Sequence, residues 1–479
     1  MTQPAYARKW WALAAVGSGV LLSTIDGSIV NIALGTFVAA FESNLNVVEW
    51  VVLAYLLTLT CLLLLMGRLG DLYGKRRVYA AGFVIFTVAS ALCGLAPGIG
   101  ALIGFRVVQA VGAAMIQSVG PALLVTAFPP HERGLALGAI GSFVAVGILI
   151  GPALGGLLLN TVGWQSIFYV NIPVGIAGTW LTMRSIAPDR PGAGGQSFDF
   201  AGALLLMASL FGLLLALTEG PLWGWGDPRI VGLGALFVVA GAGFVAWELR
   251  FHSPMINLRI FRNAAFSLNL LAGFVLFLGL PFNLLLTPLF FQFVYRFDLQ
   301  TTGLMLMALP VALSLTSPIS GRLSDRIGPR ALTVGGLSIA AVALAGLSLT
   351  QATTPPAQMV AFLLLLGAGV GLFQSPNNST VLGNAPPEAL GVASGLLAVM
   401  RTLGQTAGIA LAGAIWSSRV IALNGGPVTP ITAAPPEALA GGFDLAMRIA
   451  AGLAVLAILP SLGGGRAVAE GRAAAARAD

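Results

Sequence analysis

Fourteen apolar runs, each bounded by charge, glycine or proline, follow one another along this chain at about 10–38, 46–66, 78–96, 101–127, 135–159, 165–185, 200–218, 230–249, 264–291, 303–320, 331–350, 358–381, 391–417 and 443–462. A helix needs about 20 apolar residues to cross the hydrocarbon of a bilayer. In hydrocarbon every backbone N–H and C=O must be satisfied within the chain, so only helices and closed barrels span it. Runs of this length predict helices. The chain is 57% hydrophobic and 9% charged, whereas a soluble domain carries about 25% charge. No fold in water hides that much apolar surface, so the expectation is an all-α integral membrane protein with fourteen spans.

The net charge of +7 would fit a nucleic-acid binder, but its placement argues for topology. Basic residues sit in the loops between apolar runs, and every second loop is basic. Eighteen Lys and Arg fall on the side of Arg8 and Lys9, and four (Arg229, Arg296, Arg419 and Arg448) on the other. The positive-inside rule then predicts cytoplasmic N- and C-termini. The first apolar run is too long for a signal-peptide core and reads as a retained span. Cys61 and Cys93 both lie inside apolar runs, and His131 and His252 lie in separate loops. No disulfide framework, metal site or cofactor is expected from them.

Gly67-Arg68-Leu69-Gly70-Asp71-Leu72-Tyr73-Gly74-Lys75-Arg76 returns as Gly321-Arg322-Leu323-Ser324-Asp325-Arg326-Ile327-Gly328-Pro329-Arg330. The first copy follows span 2 and the second follows span 10, an offset of eight spans. The simplest account is a duplicated six-helix unit with two further spans between the copies. The predicted organisation is a first half over 1–186, a Pro/Gly-rich linker at 187–199 and two extra spans at 200–249. A basic amphipathic linker on the inner membrane surface follows at 250–263, then a second half over 264–462 and a disordered tail at 463–479. The decapeptide itself reads as a short polar loop. Its Gly67, Gly70 and Gly74 allow a tight turn, and Lys75, Arg76 and Arg77 hold it inside. Asp71 can accept hydrogen bonds from a helix N-terminus. A latch remade in each transport cycle and a simple topogenic turn are both open readings of this loop and of its echo at Asp325.

Asp26, Arg106 and Arg401 are charged residues set well inside spans. Asp26 is near the middle of span 1, where a carboxylate costs at least a few kcal/mol on insertion. Such an acid can take up a proton on one side of the membrane and lose it on the other. The alternative is a hydrogen-bonded packing residue. Arg106, in span 4, needs buried acceptors; it can act on Asp26 or another protonatable group, directly or through water, or serve a structural role. Arg401, in span 13, can pair with an inner acid such as Asp71 or hold an anionic group. Span 5 carries Gly147, Gly151, Pro152, Gly155 and Gly156, a stripe of small residues that admits close helix approach. It serves either as a gating contact between the halves or as ordinary packing. Candidate cavity residues are Asn31, Tyr55, Gln109, Gln117, Phe282, Asn283, Phe373, Gln374, Asn377 and Asn378. They are few polar anchors in an apolar setting, suited to a lipophilic ligand.

Together these motifs resemble the major facilitator superfamily. GRLGDLYGKRR is similar to its loop 2–3 signature and GRLSDRIGPR to the second-half echo; FRVVQAVGAA resembles the span 4 motif and GILIGPALGGLLL the span 5 antiporter motif. The fourteen-span layout, IDGSIVNIAL and WQSIFYVNIPVG at 164–175 are similar to its drug:proton antiporter branch with two added helices. The resemblance covers nearly the whole chain. It implies alternating access, a proton moving in for a substrate moving out, and no ATP. On this resemblance Asp26 takes the family's span 1 acid role and Arg106 its span 4 arginine role. Some polyspecific cation exporters of the branch carry a further acid in a late span. Spans 9 to 14 here show no deep acid, and span 13 has Arg401 instead, so neutral, monocationic and anionic substrates all stay open.

The expected function is a proton-coupled exporter of lipophilic drug-like compounds, with a dedicated exporter of a metabolite, lipid or lipid-linked carrier as the alternative. No Ser/His dyad or metal set lies at membrane depth for an enzyme, and no GxxxxGK[ST] pattern for an ATPase. A passive channel would not need a buried acid. The expected partners are a small lipophilic substrate, protons and the bilayer, with no nucleic acid. Both halves in one chain make a monomer sufficient. Heavy Ala, Gly and Arg usage with two Lys points to a bacterial plasma membrane.

Overall fold

The computed structural model describes residues 8–188, 198–426, 428 and 431–478; the side chains of residues 45, 299 and 464–478 lie outside that description. Regular structure among the described residues is entirely helical. Fourteen helices are long and apolar enough to cross a membrane. The principal helices of these spans are α1 (Lys9–Ala40), α2 (Trp50–Tyr73), α3 (Lys75–Gly94), α4 (Ile99–Ala127), α5 (Arg133–Thr161), α6 (Asn171–Ser185, in a span that starts at Ser166), α7 (Phe200–Trp223) and α8 (Pro228–Glu248), followed by α9 (Ala264–Leu289), α10 (Ala308–Ile327), α11 (Pro329–Ser348), α12 (Pro356–Gly383), α13 (Leu390–Asn424) and α14 (Pro436–Ala478). A single turn, Ser166–Tyr169, precedes α6. Prolines stand inside α4, α5, α7, α9, α10, α12 and α14. Membrane helices tolerate them because neighbouring groups re-satisfy the freed backbone.

The chain divides into two compact units. The first comprises Met1–Leu213, Gly234–Ile260 and Ala385–Val399; the second comprises Leu214–Leu233, Phe261–Asn384 and Met400–Asp479. The first has an apolar core at the α1 end that follows Asp26, with Ile29, Val30, Ala33 and Phe37 packed on Val51, Leu102 and Phe168. The Trp164 ring meets Phe37 edge-on at 5.7 Å. The core of the second unit gathers Ala272, Val275, Leu276, Leu337, Phe373 and Ala457.

Duplication shows in the packing inside each unit. A Cβ on Gly112 of α4 would fall 2.6 Å from the Phe86 amide nitrogen and 2.7 Å from the Gly82 carbonyl of α3. A Cβ on Gly369 of α12 would fall 2.7 Å from the Ala340 amide nitrogen and 2.7 Å from the Gly336 carbonyl of α11. Only glycine lets backbones cross this closely. Gly82 and Phe86 precede Gly336 and Ala340 by the same interval that separates the two decapeptides.

The decapeptide is not a loop. Gly67–Tyr73 continues α2, Gly74 alone breaks the helix at φ 99°, and Lys75 begins α3. The echo repeats this, with Gly328 at φ 88° between α10 and α11. Polar residues at a helix end keep their helical hydrogen bonds, and a glycine in the left-handed region stops the run. The predicted disordered tail is also corrected, since α14 runs through it to Ala478. Its Ala and Arg are strong helix formers. Of the 187–199 linker, residues 189–197 lie outside the described residues. Its last member, Asp199, caps α7 by accepting from the Gly202 amide at 2.8 Å and from Trp247 Nε1 at 3.0 Å. The 250–263 segment is irregular, with a 3-10 turn at Leu258–Arg262. Met255 and Ile256 are buried where their amides donate to the Glu248 carboxylate, each at 3.2 Å.

Candidate functional site

Within the first unit, α1, α2, α3, α4 and α6 place polar groups around one carboxylate. Asp26 on α1 has no exposed surface, and Arg106 on α4 is 1% exposed. Arg106 Nη1 donates to Asp26 Oδ2 at 2.6 Å and to Gln109 Oε1 at 2.6 Å. Its Nε donates to the Val51 carbonyl of α2 at 3.1 Å. The Tyr55 ring, one turn along α2, lies 4.0 Å from the guanidinium carbon, so the cation rests on a π face as well. Gln109 sits three residues beyond Arg106 and therefore on the same face of α4. Its Nε2 donates to Asp26 Oδ1 at 2.9 Å and to Ser90 Oγ of α3 at 2.8 Å. Asn171, the first residue of α6, donates to Asp26 Oδ1 at 2.8 Å.

A charge pair removed from water is stable only when its remaining hydrogen-bonding capacity is met. Here both carboxylate oxygens accept, and the guanidinium has a carboxylate, an amide oxygen, a backbone carbonyl and an aromatic ring. The arrangement can hold a charge pair away from water, and a change in the charge of either member would loosen the contacts that α1, α2, α4 and α6 make through it. Among the described residues no three His, Cys, Asp or Glu side chains converge as metal ligands do.

Four residues singled out in the sequence, Asp26, Tyr55, Arg106 and Gln109, thus meet at one point. Sequence reasoning missed Ser90, Asn171 and the Val51 carbonyl. Asn171 carried a signal, a lone amide in an apolar segment just before Pro173; Ser90 and a backbone carbonyl carried none. The other candidate cavity residues scatter. Asn31 is exposed and Gln117 half-buried in the first unit. In the second, Phe373 is committed to the apolar core and Phe282 is fully buried. Asn283 accepts from Thr287 Oγ1 on its own helix at 2.8 Å. Asn377 is buried, whereas Gln374, Asn378 and Arg401 are half-buried.

The duplication is chemically one-sided. Counting back from the matched glycines Gly112 and Gly369, Arg106 and Gln109 correspond to Leu363 and Leu366, both fully buried. The second unit keeps the helix crossing and replaces its charge with hydrocarbon.

At the end of α2, Asp71 accepts from the amides of Gly391 at 2.8 Å and Val392 at 3.0 Å, in the first turn of α13. Those amides have no partner within their helix, and the helix dipole favours an anion there. Lys75 pairs with the same carboxylate at 2.9 Å. A Cβ on Gly67 would collide with the Gly391 carbonyl, and one on Gly391 with the Gly67 carbonyl. Gly70 packs on Val119, Arg68 is buried, and Arg76 donates to the Met183 carbonyl. In the echo, Asp325 is half-buried.

The α5 stripe packs on α1. Gly147 lies against Thr24, Gly151 against Ser28 and Gly155 against Ile29, all on α1, while Gly156 faces open space and Pro152 stands within the helix. Small residues on α5 let α1 approach closely, and that approach backs the helix carrying Asp26.

Comparison with known proteins agrees with this architecture. Residues 16–409 match the family model described as Major Facilitator Superfamily. The chain is 34% identical to the riboflavin transporter RibZ of Clostridioides difficile over 403 residues, 84% of this chain and 87% of that one. It is 34% identical to the multidrug resistance protein Stp of Mycobacterium tuberculosis over 404 residues, 84% of this chain and 75% of that one. Among solved structures, the proton:xylose symporter XylE superposes with a TM-score of 0.66 at 14% identity, over 95% of each chain; that likeness is one of fold. With a matching family model over most of its length, a duplicated fourteen-helix membrane architecture and two relatives about a third identical over most of the chain, it belongs to the Major Facilitator Superfamily.

Proposed function

We propose that this protein is a proton-coupled antiporter that exports lipophilic, drug-like compounds by alternating access. The observation that carries the reading is the Asp26–Arg106 pair, ionisable groups 2.6 Å apart and sealed from solvent. Intramembrane acids are costly and mark ion pathways by default. A proton arriving at Asp26 removes the charge that holds Arg106, so proton binding alters the contacts among α1, α4 and α6. The multidrug resistance relative supports the substrate class. Asp71 with the first turn of α13 then acts as a latch, and the proton gradient is the only energy source, with no cofactor. The reading places a monomer in a bacterial inner membrane with cytoplasmic termini.

The riboflavin transporter relative favours a second reading, a dedicated metabolite exporter of the same fold. Proteoliposomes holding wild type or Asp26→Asn test both, with proton release followed on adding tetraphenylphosphonium, neutral lipophilic drugs or riboflavin. Release by wild type with lipophilic compounds and none by the variant is the expected result. Release that survives in Asp26→Asn rejects Asp26 as the coupling acid. A response confined to riboflavin moves the second reading ahead.

A further inference from the structure

Three donors hold the Asp26 carboxylate, and they are not equivalent. Arg106 and Gln109 both ride on α4. Gln109 is fixed on both sides of its amide: its oxygen accepts from Arg106, and its nitrogen donates to both Asp26 and Ser90. Ser90 is held in turn, donating to the Phe86 carbonyl at 2.8 Å. Turning the Gln109 amide would set its NH2 against a guanidinium and its oxygen against a carboxylate. Asn171 is the donor that comes from another helix. Its nitrogen makes the bond to Asp26 and a longer approach to Ser90 Oγ at 3.5 Å. It stands at the head of α6, one residue after the separate turn Ser166–Tyr169.

We propose that Asn171 is the positioning residue that sets the proton affinity of Asp26, so that α6 governs when the acid loads: seated, it holds the carboxylate ionised, and withdrawn, it lets the proton bind. This rests on the reading of Asp26 as the coupling acid. A hydrogen bond to a charged group stabilises that charge more than a neutral one, so its loss favours the protonated form. Among the described residues, Arg106 on α4, Tyr55 on α2 and Cys93 on α3 are the other charged or titratable groups facing the acid. None lies on α6. The amide of Asn171 can therefore leave with its helix while the Arg106 charge stays in place.

The test is a pH titration of the reconstituted full chain, followed by infrared difference spectroscopy of carboxyl protonation. Asp26→Asn identifies the Asp26 band by removing it. Asn171→Leu is expected to shift the midpoint of that band to higher pH by about one unit, a tenfold gain in proton affinity. Asn171→Asp, close in shape and bearing a charge in place of a donor, shifts it further the same way. Asn171→Gln keeps a carboxamide and is expected to restore part of the shift. An unmoved midpoint in Asn171→Leu overturns the proposal. If that variant does not fold, an unmoved midpoint in Asn171→Asp overturns it equally. Absence of any band lost in Asp26→Asn rejects the coupling acid itself, a distinct failure that removes this proposal with it.

Discussion

At the residue scale, the molecule turns on what happens when a fully buried charge loses its partner. Removing one member of such a pair costs about 3–5 kcal/mol, because the other is left uncompensated. Arg106→Leu is therefore expected to destabilise the first unit strongly. The double variant Asp26→Asn with Arg106→Leu is expected to recover most of that loss, as no lone charge remains. Thermal unfolding in detergent reads both; a double variant no more stable than Arg106→Leu would show that the pair is not the source of the cost. Asp26 and Arg106 were legible in the sequence because charge in an apolar run is conspicuous. Their direct contact was one of the readings the sequence left open, and only the packing of their helices, which no local pattern specifies, selected it. Ser90 was invisible for a related reason: a serine in a membrane helix normally bonds to its own backbone, as Ser90 also does, and its second role depends on Gln109 arriving from another helix.

At the element scale, glycine content is uninformative until the neighbour is known. Gly151 and Gly156 belong to the same motif on α5, yet Gly151 meets Ser28 and Gly156 meets nothing within 4 Å. Gly151→Ala is expected to push α1 away and lower stability by about 1–3 kcal/mol, as overpacking does. Gly156→Ala is expected to be neutral. Equal effects on the unfolding midpoint would contradict the α1–α5 contact. The decapeptide teaches the complementary lesson. Its recurrence was plain, but its polar character suggested a loop, whereas the backbone stays helical until the left-handed glycine. Asp71 was correctly read as a helix-terminus acceptor; the sequence did not say that the terminus would be that of α13, more than three hundred residues away.

At the scale of the whole molecule, the units share a backbone design and divide the chemistry. Leu363→Ala, at the position matching Arg106, is expected to cost about 2–5 kcal/mol as a core truncation while leaving the pH midpoint of the Asp26 band unchanged. A shifted midpoint would mean that the second unit tunes the acid. By itself the sequence determined the all-helical membrane class, the fourteen spans and the duplication. Those follow from hydrophobic length, the need to satisfy backbone groups in lipid and a repeated motif, all local or additive properties of the chain. Tertiary structure alone decided that Asn171 and Gln109 share one oxygen of Asp26, that the α5 glycines serve α1, and that Phe373 is core. Those are matters of which helix faces meet, and in a chain that is apolar on nearly every face the meeting is chosen by shape and by the few polar groups that must find one another across helices.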